Sequence, residues 1–128
     1  MNKGLRVLAA FLVIFSVFAL TACEGEEKLI VGTWKQTASN ANNKYGGDVY
    51  VFNADGTYSY THKFATFDMN ETGKYRLDKE NRDIWFTPDG GWHDDMFGDQ
   101  EYVRTYVVTS DYLELGSYND KEQYTRQK

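Results

Sequence analysis

The stretch DVYVFNADGTYSYTHKF, residues 48–64, decides the fold. Asp48 to Asn53 and Thr57 to Phe64 each alternate large apolar with polar side chains, the period of a strand with one packed face and one wet face. Between them Ala54-Asp55-Gly56 carries an Asp-Gly pair, whose tolerance of positive backbone angles makes a tight hairpin. In the second arm Tyr58, Tyr60, His62 and Phe64 share one face, and Thr57, Ser59, Thr61 and Lys63 share the other. A sheet buried on one side is expected.

Outward from this hairpin the pattern repeats. Ile30 to Thr37 sets Ile30, Gly32 and Trp34 on one face. Glu71 to Asp78 sets Gly73, Tyr75 and Leu77 opposite Lys74 and Arg76, and a polar turn over 79–82 leads into Asp83 to Thr87. Gln100 to Thr109 and Tyr112 to Ser117 turn about Ser110-Asp111, and a last strand covers 122–126. About eight short strands at intervals of roughly 8–12 residues, with no sustained helical spacing, predict an all-β antiparallel meander, either a closed barrel or a sandwich. Successive hairpins without a long crossover favour the up-and-down barrel, which also removes exposed edge strands. The ten tyrosines, three tryptophans and lone proline, Pro88, lean the same way.

The N-terminus has another character. Lys3 and Arg6 precede an apolar run from Val7 to Leu20 that is too short to span a bilayer comfortably, the make-up of a cleaved signal helix. Leu20-Thr21-Ala22-Cys23 resembles the bacterial lipoprotein signal. That resemblance implies removal of residues 1–22 and diacylglyceryl attachment to the Cys23 thiol, often with acylation of the new amine. It also accounts for a lone cysteine in an exported chain. Two or three acyl chains would hold the protein durably, since one alone gives marginal anchoring. Residues 23–29, with three glutamates, read as a solvated lipidated tether, and residues 30–128 as a single domain. The acidic cluster resembles the signals that send some lipoproteins to the outer face, so the outer membrane or cell surface is the expected location.

The formal net charge is −5, and loss of residues 1–22 removes two basic residues and no acidic ones. Nucleic acid is therefore not an expected partner, because phosphate contacts need a basic stripe. A monomer is expected.

Gly32-Thr33-Trp34 resembles the Gly-x-Trp signature that opens lipocalins. Phe52-Asn53-Ala54-Asp55-Gly56-Thr57-Tyr58 resembles the second-hairpin pattern of small bacterial lipocalin-like domains, and Tyr124-Thr125-Arg126 their closing strand. The resemblance covers about 29–126 and implies a barrel in which Arg126 lies over Trp34, closing it together with Gly32. Eight strands enclose an interior that side chains just fill, or that holds one small ligand. Tyr58, Tyr60, Phe64, Tyr75, Leu77, Ile84 and Phe86 can plug such a barrel, but buried phenols need partners that an amphipathic ligand would also supply.

Residues 88–99 form a long connection in which Trp92, Met96 and Phe97 must either dock on the barrel as a lid or meet a ligand or protein. Asp89, His93, Asp94, Asp95, Asp99 and Glu101 gather oxygen donors there, but the spacing matches no calcium loop and one histidine makes no zinc site, so no metal or other cofactor is expected. No nucleophile motif, phosphate loop or dinucleotide glycine pattern occurs, and an enzyme is not expected. His62 reads as a satisfied histidine at the end of a core face. Two functions remain. One is capture of a small apolar or amphipathic ligand, with Tyr58, Tyr60, His62, Tyr75, Trp92, Met96 and Phe97 as candidate contacts. The other is a protein-binding or inhibitory surface on a filled barrel.

Overall fold

The computed structural model describes residues 25–39, 47–63, 66–92, 98–117 and 120–128. The predicted signal 1–22, the lipid-attachment residue Cys23, and Phe64, His93, Met96 and Phe97 lie outside the described residues. A short helix α1 (Gly25–Ile30) precedes β1 (Gly32–Ser39), β2 (Val49–Phe52), β3 (Thr57–Lys63), β4 (Asp68–Asp78), β5 (Asp83–Gly91), β6 (Tyr102–Val108), β7 (Tyr112–Ser117) and β8 (Asp120–Arg126). The strands pair antiparallel in sequence order, and β1 pairs with β8 as well as β2, so the sheet closes into an up-and-down barrel. Of the two all-β alternatives the chain adopts the barrel.

The first hairpin forms where the alternation places it. Phe52 faces Tyr58 and Tyr50 faces Tyr60, while Gly56 N–H donates to Asn53 O at 3.1 Å. Gly56 alone takes a positive φ, 86°, and Asp55 does not share it. The connection is therefore a three-residue loop with glycine in the left-handed position, not a two-residue turn using both Asp and Gly. The Asp55 carboxylate instead braces the turn by accepting from Thr57 N–H and Oγ1–H.

Over 25–29 the predicted tether is corrected to helix, and Ile30, expected in the first strand, is the last helical residue. Glu26 and Glu27 in the first turn and Lys28 in the last suit the helix dipole. Burial decides the matter, because Ile30 is fully buried and Leu29 packs on the core. The helix lies across one end of the barrel. Trp34 Nε1–H donates to Ile30 O at 2.8 Å, and the Arg126 guanidinium donates to Val31 O at 2.7 Å and to Leu29 O. These side chains satisfy carbonyls that a helix end leaves without partners. Glu26 pairs with Arg82 and accepts from Tyr106 Oη–H at 2.7 Å, fastening the first turn as well.

The predicted 88–99 loop is also corrected, since β5 continues through Gly91. Pro88 lies inside that strand opposite Gly73, where the β4–β5 register shifts between Thr72 and Gly73. A bulge tolerates a proline that cannot donate to the ladder. Gly73 makes the approach feasible, because a Cβ there would stand 2.2 Å from Thr87 O.

Candidate functional site

Alternation sends one side chain in two into the barrel, and the inward positions divide into layers. At the α1 end lie Trp34, Phe52, Ile84 and Leu113, all essentially buried. Above them rings fill the middle. Tyr50 stacks on Tyr60 at 4.3 Å between centroids and meets Tyr124 edge-on at 5.4 Å, while Phe86 stacks on Tyr102 at 5.1 Å and meets Tyr58 edge-on at 4.9 Å. At the distal end, away from α1, the inward positions turn polar, with Gln36, Asp48 and Glu71 all buried.

Three clusters organise this polar layer. Asp48, with a side chain 2% exposed, takes Tyr60 Oη–H and His62 Nδ1 on Oδ2, each at 2.7 Å, and Lys63 N–H on Oδ1 at 2.9 Å. Arg104 pairs with Glu122 at 3.1 Å, and Tyr124 Oη–H donates to the same carboxylate at 2.6 Å. Glu71, 1% exposed, accepts from Tyr58 Oη–H at 2.6 Å and Tyr102 Oη–H at 2.5 Å, both on Oε2. Its Oε1 is buried and has no hydrogen-bond partner among the described residues.

The phenols of this layer are held as donors. Burial first, then the neighbouring phenols and carboxylates, push Tyr58, Tyr60, Tyr102 and Tyr124 well above the ordinary phenol value. Burial works against the charge of Arg104, but Tyr50, Glu122 and Tyr124 outweigh it and raise its pKa. The layer can therefore offer fixed hydroxyl donors, one guanidinium and carboxylate acceptors to a polar group.

Of the sequence-predicted contacts, Tyr58, Tyr60 and His62 come together in this layer. Tyr75 does not: it lies toward the α1 end, edge-on to Phe52 at 4.9 Å, with its hydroxyl donating to Asn53 O. Trp92 is half-buried directly after β5, and Met96 and Phe97 lie outside the described residues. At the opposite end Gly32 starts β1, and the guanidinium carbon of Arg126 sits 4.3 Å from the Trp34 ring centroid, the stack that the resemblance implies. Sequence reasoning missed Asp48, Glu71, Tyr102, Arg104 and Glu122. The signal was present, since each is in phase with inward aromatic positions of its own strand. Among the described residues no three or more His, Cys, Asp or Glu gather to hold a metal ion. Two open recesses of about 520 and 250 Å³ flank α1 at the closed end, the larger lined by Lys28, Leu29, Ser110 and Arg126 and the smaller by Glu27, Gly56, Tyr75 and Leu77.

The sequence matches no protein-family model and no curated protein. The fold has solved counterparts. It is similar to a lipocalin-like protein from Bacteroides uniformis, with TM-score 0.60 and 15% identity over 77% of this chain and 99% of that one. It is also similar to an uncharacterized protein from Bacteroides eggerthii, with TM-score 0.55 and 14% identity over 77% of this chain and 99% of that one. At such identities the likeness is one of fold, a lipocalin-like bacterial barrel.

Proposed function

We propose that the chain is a lipid-anchored binding module of the bacterial cell envelope that takes up a small amphipathic molecule at the distal end of the barrel. The observation that carries this reading is the segregation of the interior. Packed rings fill the α1 end and middle, while ionisable groups converge on the distal layer, so that apolar and polar surface follow one another along the barrel, the pairing an amphipathic molecule needs. The module binds its ligand without transforming it, since no motif for nucleophilic chemistry accompanies His62. It acts as a monomer, because a closed barrel has no terminal edge strand to pair with a second copy.

The anchor in this reading is Cys23, supported by the Leu20-Thr21-Ala22-Cys23 sequence. Two residues of chain reach at most about 7 Å. A lipid on Cys23 thus sets the α1 end against the bilayer and points the polar layer away from it, with the outer membrane or cell surface as the location. Native mass spectrometry of protein purified from its own envelope tests the binding: a retained small molecule is expected, and a mass equal to the processed chain plus its acyl groups refutes it. Labelling with radioactive fatty acid tests the anchor. The unmutated chain should take up label and Cys23→Ser should not; equal labelling of both removes the assignment.

A further inference from the structure

Among the described residues the distal layer contains the inward carboxylates Asp48, Glu71 and Glu122, and two of them have a basic side chain at hand. Asp48 has His62 at 2.7 Å and Glu122 has Arg104 at 3.1 Å. Glu71 is as deeply buried as Asp48 and, among the described residues, faces no cation, only two phenol donors on one of its oxygens. The other oxygen is buried without a donor. Burying a carboxylate with neither a counter-ion nor a donor on one of its oxygens is unfavourable unless something else supplies them.

The surroundings specify what fits. The two hydroxyls on Oε2 belong to rings that each pack against Phe86, one edge-on and one stacked, so Glu71 sits beside the Tyr58–Phe86–Tyr102 cluster. Aromatic rings around a carboxylate favour an organic cation, which gains from ring faces and acid together. A hard metal ion fits poorly, because it needs six or more oxygen ligands and these phenols already donate to Oε2. The strand bulge at Thr72/Gly73 lies next to Glu71, the kind of irregularity that re-aims a side chain. One inward step toward the distal rim the layer is Met69 facing His62, both half-buried. Met69 is an unbranched side chain that can shift to admit a ligand.

Resting on the binding reading above, we propose that the head group this site receives is an ammonium, donated to Glu71 Oε1 and flanked by the rings of Tyr58 and Tyr102. The amphipathic ligand is then an amine, and the site selects against carboxylates and neutral alcohols with the same tail. Calorimetric titration of the purified protein with octylammonium, octanol and octanoate tests this directly. Octylammonium should bind about tenfold or more tighter than the other two, and Glu71→Gln should abolish that advantage. If octanol or octanoate matches octylammonium, the ammonium assignment falls while uptake of an amphipathic molecule stands; if none of the three binds at millimolar concentration, both fall. Should Glu71→Gln fail to fold, ring-proton shifts in the unmutated protein decide. Octylammonium should move Tyr58 and Tyr102 and leave Tyr75, toward the other end, in place, whereas movement of Tyr75 alone overturns the proposal.

Discussion

Replacing Trp34 by alanine should remove the keystone of the closed end. The ring is fully buried, donates to Ile30 O at 2.8 Å and carries Arg126 on its face at 4.3 Å. Emptying a buried tryptophan site costs about 3–5 kcal/mol. The change also strips the buried Ile30 carbonyl of its donor, for about 1–3 kcal/mol, and the cation of its ring, for about 0.5–2 kcal/mol. These terms share atoms and do not add, so about 4–6 kcal/mol is the expected total. That is a large part of the roughly 5–15 kcal/mol available to a domain of this size. Urea unfolding followed by far-ultraviolet dichroism measures it. Trp34→Phe, which keeps most of the volume but loses the N–H, should cost about 1–3 kcal/mol. A double-mutant cycle of Trp34→Phe with Arg126→Met should show coupling, because the two side chains touch. A Trp34→Ala midpoint shift worth less than about 1 kcal/mol, at unchanged slope, would refute the reasoning that this ring joins α1 to the barrel.

Gly73→Ala should destabilise by about 2–3 kcal/mol, since the obstacle to its Cβ is the Thr87 and Pro88 backbone and no side chain can yield; a neutral melt would mean that the β4–β5 register is not the one described. Alkaline pH should unfold the protein cooperatively. Tyr50, Tyr58, Tyr60, Tyr102 and Tyr124 are raised above 10.0 by burial first. Above about pH 10 the unfolded chain releases protons that the folded chain keeps, so stability is whole below that pH and falls as pH rises. Phenolate absorbance should therefore lag behind that of free tyrosine until the dichroism signal collapses, and a smooth non-cooperative titration would contradict the burial. Acid should loosen α1. The Tyr106 hydroxyl, opposed by partial burial and aided by Arg82, holds Glu26 below 4.5, so its contribution is present above that pH and lost as pH falls through the depressed value. The protection of 25–30 against hydrogen exchange, taken relative to the slower intrinsic exchange in acid, should fall on acidification, and Glu26→Gln should lower it already at neutral pH; protection unchanged in both would separate α1 from this contact.

The barrel was legible because alternation is a local signal. Tyr58 or Tyr75 announces its face from its immediate neighbours, and hairpin succession favours the closed barrel over a sandwich, a choice the β1–β8 pairing completes. What failed locally was decided by tertiary contacts. Residues 25–30 have the composition of a solvated tether, and contacts from distant positions, among them the Trp34 indole, Arg82, Tyr106 and the Arg126 guanidinium nearly a hundred positions away, make them a docked helix. Pro88 reads as the start of a loop until Gly73, on another strand, creates the bulge that lets β5 run past it.

The polar layer shows the same division more sharply. Phase along each strand tells that Asp48, Glu71, Arg104 and Glu122 point inward, and that much could be read from residues two positions away. Which charge meets which depends on the stagger of the whole sheet. Glu71 takes Tyr102 from a strand two places along the barrel, 31 residues later, while Arg104 takes Glu122, again two strands on. An inward acid in a sequence is therefore ambiguous between a satisfied structural group and a ligand-seeking one. The ambiguity lifts only when the partners have been assigned and one acid, Glu71, is left over. That remainder carries the chemical specificity of the site, because the paired acids have already spent their charge on neighbours within the fold.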